Sequence, residues 1–184
     1  MKIFSQTPRL LFREIIHDDA DAFFDMDSDP EVHKYLGNKP VADIDKIHEV
    51  IDFIQKQYTE NGIGRWAIIE KSTNEFVGWG GLKLVKELTN NHVNFYDMGY
   101  RLRRKYWRQG IASESAIASL KYGFETLNLN EIFAAAHVDN DGSNKILLRS
   151  KMKFIETFYY DDSTLCNWYK ISKEDWNHSN LKSF

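Results

Sequence analysis

Apolar positions repeat with helical spacing in two long stretches of the chain and alternate with polar ones through much of the rest. From Ala42 to Tyr58 the residues Ile44, Ile47, Ile51, Ile54 and Tyr58 recur at steps of three, four, three and four, which turns one face of a helix toward a core. Gly110 to Leu127 carries a second such stripe, Ile117, Leu120, Phe124 and Leu127, with Asn128 near its end. A shorter helix is expected over His17 to Met26, with Asp18 and Asp19 in a first turn where acids suit the dipole. Ser28-Asp29-Pro30 then leads into a helical stretch ending near Leu36-Gly37, and another helix starts within Asp139 to Ser143 and runs to about Ser150.

Strand patterns fill the intervals. Arg9 to Glu14 reads as a short strand, Arg65 to Glu70 and Glu75 to Val85 as an antiparallel pair joined at Ser72-Thr73-Asn74, and Val93 to Leu102 as the next strand after a Thr89-Asn90-Asn91 turn. Ile132 to Val138 is a further strand, and Phe154 to Ile171 holds two that turn at Asp161-Asp162-Ser163. Ser172, with Asp175 three positions on, is placed to cap a last helical turn. Strands and helices mixed in this order predict an α/β (α+β) protein built on one mixed sheet.

Composition narrows the function. At 184 residues, 42% of them hydrophobic, residues 1–184 suit one domain, and no repeat or low-complexity linker divides them. A single cysteine, Cys166, rules out an intramolecular disulfide, and no Cys/His spacing suits a metal. No apolar run is long enough to span a membrane and no signal-peptide pattern opens the chain, so a cytoplasmic protein is expected. A net charge of −3 argues against nucleic acid as a partner.

Basic residues gather once, at Arg101, Arg103, Arg104, Lys105 and Arg108, where a strand ends and the helix over Gly110 to Leu127 begins. The first turn of a helix offers amide N–H groups without intrahelical partners, and Gly110 and Ala112 let a phosphate approach them closely. The loop is neither a Walker sequence nor the Gly-x-Gly-x-x-Gly of dinucleotide folds.

The same stretch, Tyr106-Trp107-Arg108-Gln109-Gly110-Ile111-Ala112-Ser113-Glu114, resembles a motif of the GNAT superfamily of acetyltransferases, in the branch related to the enzymes that acetylate ribosomal-protein N-termini. Further similarities run in order along most of the chain: Arg9-Leu10-Leu11-Phe12-Arg13, Asp29-Pro30-Glu31-Val32, Gly78 with Gly80-Gly81-Leu82, Met98-Gly99-Tyr100 with Leu102, and Asn140-Asp141-Gly142-Ser143. The resemblance implies a mostly antiparallel sheet whose fourth and fifth strands splay around the acetyl-pantetheine arm of acetyl-CoA. It implies that Met98, Tyr100 and Leu102 bind the arm, that Arg108, Gln109, Gly110, Ile111, Ala112 and Ser113 bind the pyrophosphate, and that Asn140 and Ser143 also contact the cofactor; by charge and position alone, the nearby cations, Arg103 among them, are expected to neutralise more of the ligand's charge. Acetyl transfer is then direct, with an oxyanion held by an N–H near Tyr100.

Asp97 is the first candidate for the base that deprotonates the amine, and Ser143 is either the acid for the thiolate or only a helix cap. Lys151 stands where the family places a helix-ending glycine, so the turn there is expected to be made differently. The acceptor is expected to be a protein or peptide N-terminal amine, with small-molecule amines such as a polyamine or an aminoglycoside as the alternative. A coenzyme A sensor without turnover is a third reading. The acidic run from Asp18 to Glu31 is either a lure for a cationic acceptor or a solvated face. A monomer or a homodimer is expected, without a metal.

Overall fold

A computed structural model describes residues 1–181. The strands are β1 (Ile3–Gln6), β2 (Leu10–Arg13), β3 (Trp66–Glu70), β4 (Glu75–Val85), β5 (Phe95–Leu102), β6 (Glu131–His137), β7 (Lys153–Tyr159) and β8 (Leu165–Ser172). The helices are α1 (Ala20–Asp27), α2 (Pro30–His33), α3 (Ile44–Asn61), α4 (Ile111–Lys121), α5 (Asp141–Arg149) and α6 (Lys173–Asn177).

All eight strands form one sheet in the order β1-β2-β3-β4-β5-β6-β8-β7, antiparallel throughout except where β5 meets β6. Helices cover both faces. On one side α1 and α3 bury Phe23, Met26, Ile47 and Ile51 against Ala67 and Ile69, and on the other α4 packs Ala116, Ala118 and Leu120 against Leu82, Met98 and Leu102. With both faces covered, β3 and β4 read as near-continuous buried runs, not as an alternation.

The helical spacing located α3 and α4 well, although the last turn of the second stripe, Tyr122–Thr126, widens into a π-helical turn. Asp43 caps α3 by accepting from the Asp45 amide, and Gly62, at φ +69°, ends it. Three differences from the expected elements have local causes. β1 adds an edge strand whose four residues bury only Phe4, too little for a pattern. β5 begins at Phe95, because Asn90, Asn91 and Asn94 all take left-handed φ and prolong the turn.

The end of α5 is the third. Lys151 adopts φ +63°, its N–H donates to Leu148 O and the Met152 N–H to Leu147 O. That is the Schellman arrangement normally given to glycine, so the turn is made in the usual way with a residue that strains it.

Candidate functional site

The site begins with an interrupted ladder. β5 pairs with β4 along its whole length, from Phe95 to Leu102, and β6 pairs with β8 from Glu131 to His137. Between β5 and β6 the register contains a single pair, Asp97 with Phe133. Beyond it the two parallel strands part, and backbone groups of residues 98–102 and 134–137 face each other across a wedge. Such groups need hydrogen bonds, so the wedge suits an extended chain that carries amides of its own. The side chains of Met98 and Leu102 are buried in the core, which leaves only their backbone for that purpose.

At the wide end of the wedge, residues 107–110 turn the chain into α4. Arg108 and Gly110 take left-handed φ of +60° and +78°, an alternation that aims successive N–H groups into one concavity. Among the described residues no protein acceptor meets the amides of residues 108–113; the first bond of the helix is Glu114 N–H to Gly110 O. Ile111 is buried and anchors the turn, while Gln109 closes it by donating from its side chain to Lys105 O. Trp107, 40% exposed, is not in the core, and its indole N–H donates to Leu102 O, which ties the turn to the end of β5.

A clamp that the sequence did not announce fixes α4 from the other side. Arg9 donates from Nε to Glu114 at 2.8 Å and from Nη1 to Gln109 O at 3.1 Å, and Thr7 hydrogen-bonds the same carboxylate. α4 also lies close on the sheet at Gly80, where a Cβ would come 2.2 Å from the buried Ser115 hydroxyl. The turn is therefore held rigidly relative to β4 and β5, as an anion cradle requires.

Across the wedge, the Tyr100 hydroxyl lies 3.0 Å from Ser143 Oγ at the start of α5. Burial raises the Tyr100 phenol well above its ordinary value, so the group stays protonated. The helix cap is Asn140, whose Oδ1 accepts from the Ser143 N–H at 3.1 Å, which leaves the serine hydroxyl free of capping duty. Asn144 locks α5 in place by donating to His137 O and accepting from Asn167 and Tyr169.

The basic cluster requires a correction. Arg103 donates to Asp25 and to Phe76 O, Arg101 holds both oxygens of Asp27 at 2.9 Å, Arg104 lies 4.0 Å from Asp29, and Lys105 pairs with Glu75. Arg101, Arg103 and Arg104 tie α1 and the start of α2 to the end of β5, and Lys105 ties to the start of β4, so the structure engages Arg103 with Asp25 and not with the α4 cradle. Of the cluster, Arg108 alone has no protein partner among the described residues. The same pairs neutralise Asp25, Asp27 and Asp29, and Arg13 neutralises Asp19, which takes much of the acidic run out of play as a lure for cations.

Asp97 is likewise engaged. One of its oxygens accepts from Arg65, which also donates to Gly81 O and to Asp97 O, at 2.6 and 2.8 Å. His33 is buried with Asp27 3.8 Å away, and burial first, then Arg101, lowers its imidazole below the usual value.

Elsewhere, His137 accepts from the Asp139 N–H and its ring lies 5.5 Å from Tyr35. Cys166 packs among Phe133, Phe158 and Trp168, and burial pushes its thiol up to about 11. A recess of about 460 Å³ between the end of α5 and α6 is lined by Lys151, Lys153, Asp175 and His178 and shares no residue with the wedge. No group of three or more potential metal ligands occurs among the described residues, and no helix there is long and apolar enough to cross a membrane.

Comparison with known proteins places the chain in a family. Residues 9–153 match the model of the acetyltransferase (GNAT) domain family. The chain is similar to the uncharacterized N-acetyltransferase p20 of Bacillus licheniformis, with 36% identity over 141 residues, 77% of each chain. Its fold resembles that of a spermidine N-acetyltransferase from Vibrio cholerae in complex with CoA and spermine, with a TM-score of 0.74 and 13% identity over 94% of this chain and 100% of that one. A ribosomal L7/L12 alpha-N-protein acetyltransferase in complex with coenzyme A gives the same TM-score, with 17% identity over 93% and 98%.

Proposed function

The chain belongs to the GNAT family of N-acetyltransferases, and from that premise we propose that it transfers the acetyl group of acetyl-CoA to the N-terminal amine of a protein or peptide. The observation that carries the cofactor assignment is the turn into α4, where unpartnered amides converge beside an unpaired Arg108. The amides of Arg108, Gln109, Gly110, Ile111, Ala112 and Ser113 would hold the diphosphate, and the backbone from Met98 to Leu102 would pair with the pantetheine arm. Asn140, the cap of α5, would also contact the cofactor.

Bound there, acetyl-CoA supplies an acyl group activated toward amines. An N–H of the parted β5 near Tyr100 supports the carbonyl oxygen as charge develops on it. The Tyr100 hydroxyl, kept protonated by burial and in contact with Ser143, gives the departing sulfur its proton.

Two features favour an N-terminal amine. One oxygen of Asp97 is taken up by Arg65, and an α-amino group with a pKa of about 8 needs less help to lose its proton than an alkylamine with one of about 10.4. Two of the acids that would draw a polyamine to α1, Asp25 and Asp27, are paired internally. The test is release of coenzyme A thiol from acetyl-CoA with N-terminal peptides, polyamines and aminoglycosides. Release with peptides is expected; release only with the small amines would reassign the acceptor, and release with none would end the proposal.

A further inference from the structure

One cation on the face of the sheet covered by α1 and α3 lacks a partner. Lys83 of β4 stands opposite Asp97 of β5, the last residue paired with β6 before the wedge opens. Its side chain is half-buried and leaves the sheet on the face shared with Trp79, which α1 and α3 cover. Its charged neighbours are Arg65, Asp97 and Glu87. Asp97 is bound to Arg65, and Glu87 lies past the end of the strand and is exposed. Among the described residues the Lys83 ammonium makes no hydrogen bond and no ion pair.

An ammonium removed from water without an anion destabilises the fold, and the strain shows in its acidity: burial first, then Arg65, lowers the Lys83 pKa. The other charges on this face balance in pairs, Asp27 with Arg101 and Asp97 with Arg65, so one positive charge is left over beside the closed end of the wedge. A negative group arriving with the acceptor would complete it.

We propose that Lys83 recognises a carboxylate on the acceptor, a few bonds from the amine that is acetylated, so that the preferred substrate is an N-terminus with aspartate or glutamate among its first two residues. This rests on the assignment of the acceptor as an N-terminal amine. The carboxylate would accept from the Lys83 ammonium while the amine lies beside Asp97, toward the wedge.

The experiment compares C-terminally amidated peptides that differ by one isosteric change, Asp-Ala against Asn-Ala and Ala-Asp against Ala-Asn at the N-terminus, in wild type, Lys83→Met and Lys83→Arg. At least one acidic peptide should exceed its amide partner by about tenfold or more in kcat/KM, largely through KM. Lys83→Met should bring the pair within about threefold and Lys83→Arg should restore the preference. Because methionine keeps the aliphatic stem and removes the uncompensated charge, Lys83→Met should also melt higher than wild type. Turnover of both members at equal rates would overturn the inference and leave transfer to N-termini standing. Equal loss of kcat on both members in Lys83→Met would overturn it too, by making Lys83 a proton acceptor. Turnover confined to polyamines would remove the acceptor assignment, and this inference with it.

Discussion

Replacing Gly110 by glutamate puts a negative charge at the mouth of the α4 cradle, and the structure sets the size of the effect. The position is exposed, and an added Cβ meets only Arg9 Nη2, at 3.6 Å, so the substitution brings no clash. Its φ of +78° costs an L-residue roughly 1–2 kcal/mol of stability, the same for glutamate as for glutamine. The difference between those two variants is therefore the charge alone. A carboxylate about 6 Å from one phosphate charge is repelled by roughly 3 kcal/mol at an effective dielectric of about 20, and by roughly 0.7 kcal/mol in open water. These limits correspond to losses of about a hundredfold and about threefold in affinity, and an exposed rim falls between them, near tenfold. Arg9, already held by Glu114, offers little compensation. Calorimetric titration of coenzyme A into Gly110→Glu and Gly110→Gln at low salt should give dissociation constants about tenfold apart, and about 0.5 M salt should shrink the gap. A ratio within twofold at low salt would refute the placement of the diphosphate.

Tyr100→Phe should lower kcat by about a hundredfold while coenzyme A binds unchanged, as stopped-flow thiol release against calorimetry would reveal; an unaltered kcat removes the proton-donor role. Lys151→Gly relieves a left-handed lysine and should stabilise the fold by about 1 kcal/mol in urea denaturation, with no stabilisation if the Schellman turn is unstrained. His33 has a lowered pKa in the folded chain, so the unfolded chain takes up its proton first, and stability should fall as pH drops below about 6.5 and stay flat above it. Melting curves from pH 5 to 8 should show this loss in wild type and a smaller one in His33→Gln; identical curves would contradict it.

Local pattern and long-range pairing divide what could be read from the sequence alone. The helix of α3 and the turn into α4 were legible because their information is contiguous: an apolar stripe in one, and small residues after a basic loop in the other. Ser172 and Asp175 were legible for the same reason and do form a capping box at the start of α6. The partners of the basic loop were not legible, since Arg103 finds Asp25 at a separation of 78 residues and Arg101 finds Asp27 at 74. Charge in one segment gave the correct sign and the wrong addressee. Asp97 stood out as an acid in a strand, but its engagement depends on Arg65, a residue with no local signature. Lys151 shows a further limit, because tertiary packing of the buried Leu147 and Met152 holds a turn that its own residue type disfavours.

The account depends on the amides at the start of α4 and along the parted strand β5 meeting the cofactor. A titration of the ¹⁵N-labelled protein with coenzyme A, followed by amide chemical shifts, addresses it directly. The largest shifts should fall on residues 108–113 and 98–102, with Ser143 moving as well. Shifts confined to other surfaces, such as the recess at Lys151 and His178, would contradict it.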